Sequence, residues 1–271
     1  MGVKFAIKGD NLLDGDIAKA VPAVFADKAY WKMSERYAFI PTSVVLSAMR
    51  EAGWRVREAA QHGVRVADKA PFTRHMLRFY QPDALYIQDP RGKALFPEIV
   101  LVNGHDGSAR YSLYLGLFSF ICSNGLVVGN MYGGVSMVHS GMSTRDRVVA
   151  ESQRILESDA HLLMGNVEAM ANKAISDAQR TSLAAHALAL RYRSVTSVLR
   201  PEQLLERHRE EDVRDDLWTA LNVVQENILS RSHEGTSSWG RRTSIRAVSQ
   251  VKENIRINRG LWDKSMEILG E

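Results

Sequence analysis

One cysteine in 271 residues, Cys122, excludes an intramolecular disulfide framework and points to a reducing compartment. Nowhere does the chain approach the roughly 18 consecutive apolar residues of a membrane span. Residues 1–10 carry no apolar stretch of signal-peptide length. A cytoplasmic protein without membrane attachment is expected. Histidine and cysteine never fall at HxxxH, HExxH or CxxC spacing, so no metal site is preorganised by sequence. The glycine-rich GNMYGG lacks the lysine of a phosphate loop. Neither an internal repeat nor a low-complexity tract is present, and no cofactor is implied.

What remains is an ordinary globular composition, 45% hydrophobic and 24% charged, with a formal net charge of +4. Its excess of base is uneven. Between residues 231 and 259 stand Arg231, Arg241, Arg242, Arg246, Lys252, Arg256 and Arg259, against Glu234 and Glu253.

The fold class reads as α+β: an antiparallel meander of about five strands packed with helices, then a long C-terminal all-helical region. The boundary is expected between residues 142 and 143. At the centre lies EIVLVNGHDGSARYSLYLGLFSFICSNGLVVG, starting at Glu98. Alternation in residues 99–103 and 109–118 predicts two strands, with His105-Asp106-Gly107 as an Asx-type turn between them. Residues 120–128 are expected to add a strand, and residues 135–139 the last one. Upstream, VRVAD and HMLRFY read as strands, and residues 1–60 as helices and loops. Thr42 or Ser43 is the expected cap of a helix ending at Gly53, with Trp54 closing over the sheet. After Ser143 helical spacing takes over. One long helix, a second capped by Thr181 or Ser182, a third from Pro201 and a fourth over 212–229 are predicted. A loop over 230–243 and a final helix, kinked at Gly260, complete the chain.

Cys122, beside Ser123, Asn124 and Gly125, invites a nucleophile hypothesis with His105 or His139 as base. A lone cysteine in an apolar strand is more often a small buried hydrophobe, and no catalytic residue is assigned. Asn222, Gln225 and Asn227 cluster on one predicted helix and either satisfy nearby backbone or contact an outside group. The basic tail suits phosphate recognition. Arg78 and Arg110, on strands, would extend it, with Tyr114 as a stacking platform. The competing reading is a solvated basic face or pairing with acidic residues 210–216.

Four stretches resemble one family: VLVNGHDGSARYSLYLGLFSFICSNGLVVG, APFTRHMLRF from Ala70, DLWTALNVVQENILSR from Asp216, and RRTSIRAVSQVKENIRINRGLWDKSMEIL from Arg241. They are similar to the phage- and plasmid-borne group known as domain of unknown function 932. That resemblance covers nearly the whole chain and implies a mobile-element origin in a bacterial cytoplasm. It carries over no catalytic residue, and the roles of His105, Asp106, Cys122, Asn124, Asn222, Gln225 and Asn227 stay open. The leading functional expectation is a homo-oligomeric single-stranded DNA binder that anneals strands in recombination or replication. A module that inhibits a host defence or replication protein is the alternative, and an enzyme using Cys122 comes third.

Overall fold

The computed structural model describes residues 4–83, 87–88, 94–119, 126–127, 146, 150, 154, 160–192, 199–236, 240–248 and 250–271. They form two compact units. The first holds the described N-terminal residues through 83 with residues 96–117, and the second holds residues 162–271 with the short strands near 88 and 126. The expected boundary at 142/143, Cys122, Asn124, His139 and the strand expected over 135–139 lie outside the described residues.

The first unit is built on an antiparallel sheet, as expected of an α+β chain. β1 (Lys4–Lys8), β2 (Arg55–His62), β3 (His75–Tyr80), β5 (Ala94–Asn103) and β6 (Ser112–Ser119) lie side by side in that order. β4 (Ile87–Gln88) pairs with the start of β5 at Leu95 and Ala94. β2 and β3 register with Ala60 opposite Met76, and β3 with β5 places Met76 opposite Val102.

One face carries Val56, Ala59, Leu77, Phe79, Ile99 and Leu101, all buried. Hydrogen bonds tie that face to α2 (Thr42–Glu51) and to the 3-10 turn Pro22–Phe25, which follows α1 (Asp14–Ala20). β3 alternates as its sequence predicts. β2 does not: RVREAAQH is rich in good helix formers, yet it becomes a central strand because both neighbours supply a ladder. The expected VRVAD strand is instead an exposed approach to the 3-10 turn Ala67–Phe72, which contains Pro71.

Helix α2 ends as read. Gly53 takes φ +87, the amide of Trp54 bonds the Met49 carbonyl, and Trp54 is buried. Its start differs, since Pro41 occupies the cap position without a side-chain bond and Thr42 turns inward.

The second unit is helical around α5 (Leu217–Leu229), which packs with α4 (Asp177–Arg191) and α6 (Val251–Gly270). α3 (Ala160–Asn172) precedes them, and β7 (Leu126–Val127) adjoins α6. α4 is capped by Ser176 in a reciprocal box with Gln179, five residues before the expected Thr181. The stretch from Pro201 is a single 3-10 turn. α6 continues without interruption through Gly260, where an added Cβ would stand 2.6 Å from the Leu190 methyls. Glycine there lets α4 approach α6. The expected 230–243 loop is largely a two-stranded ribbon, β8 (His233–Thr236) with β9 (Arg242–Ile245).

Candidate functional site

In the first unit, the turn after β5 is held in a polar knot. Asp106 Oδ1 accepts from the Ser108 amide at 3.0 Å and Gly107 adopts φ +76, which is the expected Asx turn. His105 is fully buried, however. Its amide donates to the Phe72 carbonyl and its carbonyl accepts from the Tyr30 amide, both at 2.8 Å. Its ring stands 4.9 Å from that of His75 on β3 and 4.9 Å from that of Phe39.

Thr42 Oγ1 sits at the centre, 2.8 Å from His75 Nε2, 3.4 Å from His105 Nε2 and 2.9 Å from Asn103 Nδ2. His75 Nδ1 faces the Thr73 carbonyl at 2.9 Å and must donate to it. His75 Nε2 then accepts the one hydroxyl proton, and Asn103 donates to the hydroxyl oxygen, with His105 Nε2 beside it. Burial, together with the neighbouring His105, pushes His75 down to about 3, and burial lowers His105 to about 4. Both imidazoles are therefore neutral near pH 7, in a buried network centred on the Thr42 hydroxyl that fixes the turn, with His105 Nδ1 left without a hydrogen-bond partner in that network.

The opposite face of the sheet bears an ionic cluster. A bulge in β2 between Val56 and Glu58 brings Arg57 onto the face that holds Glu58. Arg78 Nε lies 2.7 Å from Glu98 Oε2 and its Nη1 3.1 Å from Glu58 Oε2. Arg57 approaches Glu98 Oε1 at 3.3 Å and stacks 4.0 Å from the Tyr80 ring centroid. Glu98 is buried, and burial pushes it up to about 7 against the pull of Arg78 and Arg57. Arg78 is thus clasped by its own carboxylates inside the sheet layer. Its side chain is only 12% exposed, unlike that of Arg110 on the neighbouring stretch.

α5 explains the amide cluster. The helix is buried nearly all round, so its polar side chains must find internal partners. Gln225 donates to Asn258 Oδ1 at 2.7 Å, and Asn227 donates to the Leu204 and Glu206 carbonyls at 3.1 and 2.8 Å. Asn222 donates to the Trp218 carbonyl at 2.7 Å. Of the two readings of these amides, the structure selects satisfaction of nearby groups.

The basic tail divides. Arg231 forks onto Glu226 at 2.7 and 3.0 Å, and Arg256 pairs with Glu253 at 2.7 Å. Arg242 meets Glu234 at 3.2 Å, but the pair is solvent-borne, with the Arg242 side chain 90% exposed. Arg241, Arg246 and Lys252 are also exposed. The ribbon that carries Arg242 is fixed at its root, where His233 Nε2 meets the Asn227 carbonyl at 2.7 Å and Gln203 Nε2 the Glu234 carbonyl at 3.2 Å. On the first unit Arg110 is exposed and Tyr114 half-buried.

One residue that sequence reasoning passed over stands out. Trp31 is 73% exposed, while its neighbour Tyr30 is buried and packs 5.6 Å from Phe72. Lys32 Nζ lies 4.7 Å from the Trp31 ring and Lys69 Nζ 5.2 Å from Tyr30. The segment is pinned by the Tyr30 amide on His105 and by Tyr37 Oη, which donates to the Gly104 carbonyl at 2.6 Å. The sequence signal is a tryptophan set between Lys28 and Lys32 with none of the apolar periodicity that buries one.

A family model described as "Domain of unknown function (DUF932)" matches residues 31–262. The chain belongs to the DUF932 family. Two relatives from Escherichia coli (strain K12), UPF0380 protein YfjQ and UPF0380 protein YafZ, are each 31% identical to it, over 91% of this chain and 88% of their own. No solved structure matches. The DUF932 match opens at Trp31 and takes in the histidine knot, the β8–β9 ribbon and most of α6. β1 and α1 precede it. Among the described residues of this DUF932 chain, no group of three or more His, Cys, Asp or Glu could hold a metal ion, and no helix is long and apolar enough to cross a membrane.

Proposed function

We propose that the chain binds single-stranded nucleic acid, DNA in the first instance, in recombination or replication of a phage or plasmid. The observation that carries this reading is Trp31: a rigidly mounted, exposed indole with a lysine ammonium at its face. Bases stack on such a surface regardless of sequence, and each stack contributes about 1–3 kcal/mol. Phosphates meet cations that the fold leaves at its surface. Lys32 and Lys69 in the first unit, and the exposed Arg241, Arg242 and Arg246 on and beside the ribbon of the second, are the cations on which the proposal draws. An annealing role and a homo-oligomeric working form belong to the same proposal.

The test is fluorescence anisotropy with a labelled oligonucleotide. Trp31→Ala should weaken binding by about 5- to 150-fold, the equivalent of one base stack, with the fold unchanged by circular dichroism. Undiminished affinity in that variant removes the platform. Absence of binding even at low salt, together with stoichiometric capture of a host protein that survives nuclease and is lost in Trp31→Ala, would favour the protein-binding alternative.

A further inference from the structure

The second unit contains a cavity of about 150 Å3 between the start of α4, the chain after the Pro201 turn and the first turns of α5. Leu205, Ala220 and Val223 give it an apolar floor, and Arg180, Arg207 and Arg214 line its wall with Asp177, Asp216 and Thr219. Three guanidinium groups around one small space repel each other unless anions lie between them.

Two carboxylates do so here, in different ways. Asp216 is committed: it accepts the Thr219 amide at 2.7 Å as the cap of α5, and Arg214 Nε at 2.7 Å. The α5 terminus is therefore already occupied. Asp215 is different. Its side chain is 69% exposed, yet its Oδ1 takes both Arg207 Nη2 at 2.5 Å and Arg180 Nη2 at 3.0 Å. A single rim oxygen thus bridges two arginines, while Arg180 Nε is buried with no hydrogen-bond acceptor.

We propose that this cavity is a binding site for a phosphate monoester, in which Asp215 Oδ1 holds the place that a phosphate oxygen takes between Arg180 and Arg207. Arginine's planar fork matches phosphate oxygens in pairs, and a phosphate offers three terminal oxygens where the rim carboxylate offers one. The apolar floor accepts the ester's organic body. Binding swings Asp215 outward into water, where an exposed carboxylate costs little to release. The site is independent of the Trp31 platform and goes beyond the nucleic-acid reading.

Isothermal titration of the full chain with inorganic phosphate tests it, using the wild type, Asp215→Asn and Arg180→Gln/Arg207→Gln. Removing a charge that competes for the arginines should tighten phosphate binding by about tenfold or more, and the double change should abolish it. Asp215 is exposed, so its variant folds. Equal or weaker binding by Asp215→Asn, or no saturable binding in any variant, overturns the site. Adenosine 5′-monophosphate and a short oligonucleotide with or without a 5′-phosphate separate the two sources of the group. Tighter binding of the monophosphate marks a small ester as the occupant. Preference for the phosphorylated strand over its 5′-hydroxyl twin marks a strand end.

Discussion

A hydroxyl group organises the turn that bears the family-like HDGS stretch. Thr42→Val keeps the shape of the side chain but leaves His75 Nε2 and Asn103 Nδ2 without their shared partner in a buried site. The expected loss is about 2 kcal/mol or more of unfolding free energy at pH 7, read from urea denaturation. Acid should weaken the same knot. An unfolded histidine titrates near 6.5, whereas His75 and His105 stay neutral down to about 3 and about 4. The unfolded chain therefore binds protons that the folded chain refuses. Stability is full above about pH 6.5 and falls as pH drops toward 4, by about 1.4 kcal/mol per pH unit for each histidine. Glu98 has the opposite sign: held up to about 7 from its ordinary 4.5, its contribution is present at low pH and lost as pH rises through 7. Two imidazoles outweigh one carboxyl, so urea midpoints should fall between pH 6.5 and 5, and Glu98→Gln should steepen that fall. A flat profile in both proteins would show that these groups do not titrate as their burial dictates. The Asx turn at Asp106-Gly107 was legible because its cause is local. The burial of His105 was not, because it depends on Thr42 and His75, brought from a helix and another strand.

At the scale of elements, readings that rested on longer periodicity survived, while the short alternation of VRVAD and the readings that rested on composition did not. Leu217, Leu221, Val224 and Ile228 announced α5, and all four are buried. HMLRFY announced β3. β2 was missed because Arg, Glu and Ala favour helix until a sheet edge offers pairing on both sides. The ribbon was missed because glycine and serine look like loop where a short ladder tolerates them. The cap of α4 is a case where two candidates can be separated. Ser176→Ala should cost about 1 kcal/mol by removing the bond to the Gln179 amide. Thr181→Ala, at an exposed position inside the helix, should be neutral or slightly stabilising because alanine is the better helix former. Equal effects in thermal denaturation would mean that the box does not form in solution.

For the whole molecule, the net charge of +4 is a poor guide to where a polyanion would bind, because the fold spends many of its arginines internally. Arg78, Arg231 and Arg256 read in sequence like Arg242, and since all four face a carboxylate, only the depth of the pair tells them apart: Arg242 and Glu234 meet in solvent, the others in part-buried pairs. That difference has a measurable consequence under the nucleic-acid proposal. Each phosphate contact to a single strand contributes about 0.7 to the slope of log affinity against log salt. Replacing Arg241, Arg242 and Arg246 together by Gln should therefore lower the slope by up to about 2. Trp31→Ala should shift the line down at every salt concentration with its slope unchanged, because stacking releases no counterions. Arg231→Gln and Arg256→Gln, whose charges are already matched by Glu226 and Glu253, should leave the slope where it was. If those two lowered it and the ribbon triple did not, the phosphates would be meeting guanidinium groups freed from their ion pairs on binding, and the ribbon would lose its assignment.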